Sequence, residues 1–178
     1  NGLSNSHVKS IIQDSYGFIW LGTRNGLNRY DGVSMQVYPC FDEASGRGNQ
    51  VISALYEDDR RQLWVGTDNG VYIQDLSTGK FSFFDAKTDK GEQISGQWVE
   101  DILSDPSGNI WVNVPNLGVY RYHVPTKKLF RYILLPGSDK SKNFPQSICI
   151  DKEGTLWVGT NGAGIFRYCP AQDTFEAC

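Results

Sequence analysis

The sequence predicts an all-β fold. Short apolar runs alternate with a period of two, and few stretches carry the i, i+3, i+4 spacing of an amphipathic helix. Aromatic residues reach 13% of the chain, above the usual content of a helical domain. The third observation is a stretch that recurs, first met as "DSYGFIWLGTRNGLNRYDG" at residues 14–32.

Anchored on tryptophan, that stretch occurs four times: "DSYGFIWLGTRNGLNRY" from Asp14, "DDRRQLWVGTDNGVYIQ" from Asp58, "DPSGNIWVNVPNLGVYRY" from Asp105 and "DKEGTLWVGTNGAGIFRY" from Asp151. The anchors Trp20, Trp64, Trp111 and Trp157 are 44, 47 and 46 residues apart, and an Asp stands six positions before each. Catalysis rarely needs one constellation four times in a chain, whereas a repeating fold does.

Each copy reads as four short strands. The first spans 8–12, 51–56, 99–103 and 147–150. A tight turn on the repeat Asp follows, because Asp bonds backbone N–H groups two residues on and Gly accepts positive φ. The second copy has Arg61 where the others have Gly17, Gly108 and Gly154, which leaves that turn open to a different type. The second strand carries the tryptophan. Ile19, Leu21 and Thr23 fall on one face and Phe18, Trp20 and Gly22 on the other; both are largely uncharged, as expected of a strand sandwiched between sheets. The Gly two residues past Trp leaves room for a close approach. The third strand spans 27–30, 71–73, 119–122 and 165–168, and the fourth 35–38, 81–84, 129–132 and 175 to the end. Four antiparallel strands in about 45 residues is the period of a β-propeller blade. The blades are expected at about 8–38, 51–84, 98–132 and 144–178, within one propeller segment over 1–178.

Polar connections at 39–50, 85–97 and 133–143 join successive blades. In a blade running from inner to outer strand they lie on the same face as the turns between second and third strands. Loops on a rigid scaffold are where binding usually resides. Candidate ligand-binding residues on that face are Arg24, Asn25, Asp68, Asn69, Asn116 and Asn161, with Arg47 and Asn49 from the first connection. Amide and guanidinium groups suit bidentate bonds to sugar hydroxyls or uronate carboxylates. The competing reading is that Asn and Asp serve left-handed turn positions. Trp98 stands outside the repeat register near the expected axis, as a core residue or a stacking platform for a sugar. The repeat tryptophans are read as core, and Asp14, Asp58, Asp105 and Asp151 as turn residues rather than a catalytic carboxylate pair, which must converge in one cleft.

Net charge is −3 with scattered Lys and Arg, so nucleic acid has little electrostatic support as a partner. No run of eighteen apolar residues suggests a membrane span. Cys40, Cys149, Cys169 and Cys178 match no metal or redox spacing, and Cys149 in "QSICID" reads as a small buried hydrophobe. Of the two histidines, His7 precedes the first strand and His123 sits in a turn expected to be solvated. With no His–Glu–x–x–His, nucleophile elbow or phosphate loop, no metal, cofactor or catalytic residue is expected. "GTNGAG" at 159–164 precedes a β pattern rather than the helix N-terminus that phosphate loops exploit.

The pattern D-x-x-G-x-[IL]-W-[VL]-G-T, then N-G or G-x-G, then an aliphatic–aromatic strand, resembles the two-component regulator propeller repeat. The resemblance covers about 8–178. The third copy departs from it: Asn113 and Val114 replace Gly–Thr, and "PNLG" is one residue longer than "RNG". The resemblance implies a segment of the periplasmic sensor region of a hybrid two-component histidine kinase of Bacteroides-type bacteria, detecting polysaccharide-derived oligosaccharides. Kinase, membrane and DNA-binding parts would belong to residues outside this chain. The start at Asn1 fits a segment of a longer protein. Four blades at a seven-bladed pitch leave two uncovered faces, so further blades or a second copy are expected partners. The rival readings are an enzyme similar to streptogramin lyases, which use histidine and metal near the axis, and a protein-binding scaffold.

Overall fold

The structure is a computed structural model and describes residues 2–135 and 144–178. All elements among the described residues are strands. The chain divides into two compact units, Asn1–Asp85 with Ile94–Val99, and Ala86–Gln93 with Glu100–Cys178.

The first unit holds two four-stranded antiparallel blades. Blade 1 is β1 (Val8–Gln13), β2 (Ile19–Thr23), β3 (Gly26–Tyr30) and β4 (Met35–Tyr38), in that spatial order. Between the blades stands a hairpin, β5 (Cys40–Asp42) and β6 (Arg47–Asn49), where the sequence suggested only a polar loop. Cys40 is the reason the hairpin docks: it is 1% exposed and belongs to the core formed by Trp20, Leu27, Ile52, Leu55, Leu63, Val65 and Tyr72. Blade 2 is β7 (Ile52–Glu57), β8 (Gln62–Thr67), β9 (Gly70–Asp75) and β10 (Phe81–Phe83).

The second unit repeats the plan. Blade 3 is β11 (Asp101–Ser104), β12 (Asn109–Val114), β13 (Gly118–His123) and β14 (Lys128–Tyr132). Blade 4 is β15 (Pro145–Ile150), β16 (Leu156–Thr160), β17 (Ile165–Cys169) and β18 (Thr174–Ala177). Most of the expected connection 133–143 lies outside the described residues. Trp111 packs against Tyr132 of its own blade and edge-on to Tyr168 and Phe175 of blade 4, with ring centroids 4.7–6.0 Å apart. Burial of each such ring contributes about 1.5–3 kcal/mol, so the aromatic layer between sheets dominates the packing.

Two devices make blades stack. A register shift between Ile52 and Ala54 turns Ile52 toward the preceding blade. There Gly22 receives it: a Cβ on Gly22 would lie 2.6 Å from Ile52 Cγ2. Gly66 receives Val99 in the same way, at 2.8 Å. The glycine two residues past the tryptophan is therefore a socket for the first apolar residue of the next repeat. In blade 3 that position is Asn113, fully buried, with neither amide atom hydrogen-bonded.

Three expectations are corrected. Cys149 is exposed: alternation along β15 sends Ile148 into the core and Cys149 to the opposite face, which no sheet covers among the described residues. His123 is half-buried at the end of β13, its Nδ1 2.7 Å from Thr126 Oγ1. The Arg61 turn does not differ from its counterparts. Arg61 adopts φ +59° where Gly17, Gly108 and Gly154 have +93°, +80° and +84°, and its N–H donates to Asp58 O at 3.1 Å as Gly17 N–H does to Asp14 O at 3.0 Å.

Candidate functional site

The repeat aspartates organise one face of every blade. In blade 1, Asp14 Oδ1 accepts the N–H groups of Tyr16 and Phe18, both at 2.9 Å, which closes the turn. Oδ2 accepts the indole N–H of Trp20 at 2.7 Å. The same three bonds recur from Asp58 to Trp64, Asp105 to Trp111 and Asp151 to Trp157, with indole distances of 2.9, 2.7 and 2.7 Å. Each carboxylate thus satisfies a tryptophan donor as well as a turn. Sequence reasoning assigned the turn and missed the indole bond, although the constant six-residue offset was its signal.

The opposite face carries the loops. In blades 1, 2 and 4 the threonine closing the second strand clamps the next turn. Thr23 Oγ1 donates to Gly26 O at 2.9 Å and accepts Asn25 N–H at 3.1 Å, and Thr67 does the same with Gly70 and Asn69. Thr160 bonds Gly164 O and Ala163 N. Val114 has no hydroxyl, and the blade 3 turn instead closes through Leu117 N–H to Val114 O at 2.9 Å. The inter-blade connection meets these turns directly: Gly26 N–H donates to Gln50 O, and Gly70 N–H to Gln97 O.

On the loop face of the first unit the structure gathers several expected residues. Asn49 Nδ2 donates to Asp68 Oδ1 at 2.8 Å. Arg47 lies 4.5 Å over the Phe83 ring and bonds Ser95 Oγ at 3.4 Å. Arg24, Asn25, Arg47, Asp68 and Asn69 are exposed, and Trp98 is half-buried. Arg24 N–H is held by His7 O at 3.3 Å, while the imidazole-bearing residue itself is exposed. Beneath them the Ser45 hydroxyl holds Asp42 below the usual carboxylate range, and burial pushes the Tyr72 hydroxyl up. The Arg47–Asn49–Asp68 group is a shallow polar surface with an aromatic floor. Its guanidinium keeps N–H groups for a planar or hydroxylated ligand.

In the second unit, Asn116 and Asn161 are exposed on their turns, Asn161 held through its N–H to Phe144 O at 2.9 Å. The residues that sequence reasoning missed there are Arg131 and Glu92, paired at 2.7 Å, with Arg131 Nε donating to Leu117 O at 2.8 Å. The hydrogen bond that Arg131 Nη1 donates to Glu92 Oε1 lowers the Glu92 carboxyl. Arg131 sits inside a strand rather than a turn, so no turn signal marked it.

A cleft of about 630 Å³ opens on the aspartate-turn face of the second unit, lined among others by Asn109, Arg121, Glu153, Tyr168 and Asp173. Arg121, Tyr168 and Asp173 of this lining are occupied with one another and with Tyr132. Tyr132 and Tyr168 both donate to Asp173 Oδ1, at 2.5 and 2.6 Å, and Arg121 reaches Asp173 at 3.3 Å and Tyr132 Oη at 2.9 Å. Burial opposes the Asp173 charge, but the two hydroxyls and the guanidinium outweigh it and lower the carboxyl. The group ties blade 4 to blade 3. The exposed loop-face groups are the better ligand candidates, because a ligand there displaces water rather than an internal network. No group of three or more His, Cys, Asp or Glu side chains among the described residues is placed to hold a metal ion.

The two-component regulator propeller family matches residues 2–25, 45–69 and 139–162. Those stretches belong to blades 1, 2 and 4, where Trp is followed by Gly–Thr. Histidine kinase P4 of Formosa agariphila is 50% identical over 38 residues, 21% of this chain and 3% of that protein. The extracellular domain of a putative hybrid two-component system from B. thetaiotaomicron superposes over 98% of this chain and 24% of its own, with a TM-score of 0.80 and 22% identity. A catalytically inactive virginiamycin B lyase from Staphylococcus aureus superposes with a TM-score of 0.73 and 16% identity, over 98% of this chain and 56% of that one. The chain spans a small part of the histidine kinase and about a quarter of the extracellular domain. In its repeat motif, in the strand order of its blades and in the three matched stretches, the chain is similar to the two-component regulator propeller repeats.

Proposed function

We propose that this chain is part of the extracytoplasmic ligand-sensing propeller of a hybrid two-component receptor, that it performs no catalysis itself, and that its loop face binds an oligosaccharide released from a polysaccharide. The observation that carries the sensor reading is the superposition on an extracellular domain of a hybrid two-component system over 98% of the chain. The oligosaccharide reading rests on the loop-face chemistry: Arg47 over Phe83, with Asn49 and Asp68 beside it. Amide, carboxylate and guanidinium groups around an exposed aromatic edge suit vicinal hydroxyls, and the arginine adds a counter-charge for a uronate.

The test is a thermal-shift series on this chain with neutral and uronate-containing oligosaccharides. A rise in Tm that is lost in Arg47→Ala and in Asp68→Ala, while Asn161→Ala keeps it, supports the reading. No shift with either sugar class, or a shift unaffected by Arg47→Ala, counts against this surface as the site.

A further inference from the structure

Each unit carries the same cleft on its aspartate-turn face, and the chain supplies a carboxylate to only one of the two. In the second unit Arg121, paired with Trp111 across β12 and β13, meets Asp173 from the turn between β17 and β18. The hydroxyls of Tyr132 and Tyr168 end on the same carboxylate. In the first unit the corresponding positions are Arg29, paired with Trp20, then Tyr38 and Gln74. Gly79 stands in the place of Asp173. Each precedes the residue that closes its turn, Lys80 opposite Asp75 and Thr174 opposite Cys169. Both have left-handed backbone, at φ +74° and +51°. A Cβ on Gly79 would meet nothing within 4 Å, so the room for that side chain is open.

The first-unit cleft measures about 320 Å³ and is lined among others by Asp14, Phe18, Arg29, Tyr38, Gln74 and Gly79. The Arg29 guanidinium lies 4.3 Å over Phe18 and 5.1 Å over Tyr38. Its hydrogen bond among the described residues runs from Nη2 to the neutral Gln36 Oε1 at 3.2 Å, and no carboxylate among them pairs with it. Gln74 is 2% exposed; its Nε2 donates to Gly79 O at 3.3 Å, and its Oε1 has no partner. A buried acceptor left in this way calls for a donor. Asp14 does not bar an anion. Its oxygens are taken by two turn amides and the Trp20 indole, and Asp105 lines the second-unit cleft together with Asp173.

We infer that the first-unit cleft binds a small hydroxycarboxylate, its carboxylate on Arg29 as Asp173 is on Arg121 and its hydroxyl donating to Gln74 Oε1. A guanidinium selects a planar anion, and the amide oxygen selects a donor that a carboxylate alone lacks. The volume stands at the small end of ligand pockets, which run from about 300 to 1,000 Å³. The site lies on the face opposite the Arg47–Asn49–Asp68 surface and is independent of it.

An amide chemical-shift titration of the chain with glycerate, propionate and glycerol tests this. Glycerate is expected to give saturable shifts around Arg29 and Gln74, propionate to bind more weakly, and glycerol to give none. Arg29→Met keeps the aliphatic stem on Phe18 but removes the charge, and weakens glycerate by about tenfold or more. Gly79→Asp copies the second unit: it keeps the fold, because its Cβ falls in open space, and abolishes glycerate binding. Should Arg29→Met fail to fold, Gly79→Asp decides alone. Arg47→Ala leaves glycerate binding unchanged, which separates this site from the loop surface. No saturable shift with glycerate, glycerol or propionate binding as tightly as glycerate, binding that persists in Gly79→Asp, or binding lost in Arg47→Ala overturns the inference.

Discussion

Trp20 is 1% exposed, and its indole N–H ends on Asp14 Oδ2, 2.7 Å away and six residues upstream. The bond turns a surface corner into the anchor of a core side chain. Removing the carboxylate leaves a buried donor without a partner and frees two turn amides, an effect of about 2–4 kcal/mol. Asp14→Ala is expected to lower the urea midpoint accordingly. A cycle with Trp20→Phe should give a coupling of about 1–3 kcal/mol. A coupling near zero would mean that water replaces the carboxylate.

The socket glycines predict a graded response to one added carbon. Gly22→Ala drives Cβ to 2.6 Å from Ile52 Cγ2, and Gly66→Ala to 2.8 Å from Val99 Cγ1 and 3.0 Å from Ala54 Cβ. Overpacking of this kind costs about 1–3 kcal/mol. Gly159→Ala meets only a serine hydroxyl, which can rotate away, so its midpoint stays close to wild type. Pairing Gly66→Ala with Val99→Ala should recover part of the loss, which chemical denaturation of the double variant checks.

Two aspartates respond oppositely to acid. The Trp157 indole, with the Thr155 amide, holds Asp151 below the usual carboxylate range, and burial raises Asp101. Asp151 therefore contributes stability that is present above about pH 4 and is lost as pH falls from there through its lowered folded value. Asp101 contributes stability when protonated, below about pH 4, and loses it as pH rises through its raised folded value. Asp151→Asn should flatten the acid limb of a midpoint-against-pH curve. Asp101→Asn should raise the midpoint at pH 7, since the amide still accepts the Ile102 N–H that Asp101 Oδ1 accepts at 3.1 Å. A fall at pH 7 in Asp101→Asn would mean that the charge is stabilising.

The blade plan was legible because it is periodic: Asp and Trp held register over four copies and Gly over three at each of its two positions, and period-two runs gave every blade strand to within a residue or two. What escaped was set by partners distant in sequence. Cys40 draws the hairpin β5–β6 into the core, but it stands at the start of a connection that is mostly polar from Asp42 onward and carries no period-two apolar run. Cys149 looks like core in "QSICID" and is exposed, because its burial depends on a neighbouring sheet rather than on its own strand. On the candidate site, the turns were readable from Asn and Gly. The Arg131–Glu92 pair was not, since it joins a strand to a loop 39 residues away.

Arg61 sets two effects of similar size against each other. Its φ of +59° is a conformation that glycine adopts in the other three turns, and a side chain there costs about 1–2 kcal/mol. Against this, its guanidinium lies 4.8 Å over the Tyr16 ring and donates to Tyr16 Oη at 2.9 Å. An exposed cation–π contact contributes about 0.5–1 kcal/mol, and a surface hydrogen bond adds to it. Arg61→Gly in the wild-type background is therefore expected to change the urea midpoint little. In a Tyr16→Ala background the compensation is gone, and Arg61→Gly should stabilise by about 1 kcal/mol. If Arg61→Gly instead destabilises both backgrounds equally, the left-handed backbone carries no strain here and the arginine stabilises the turn independently of Tyr16.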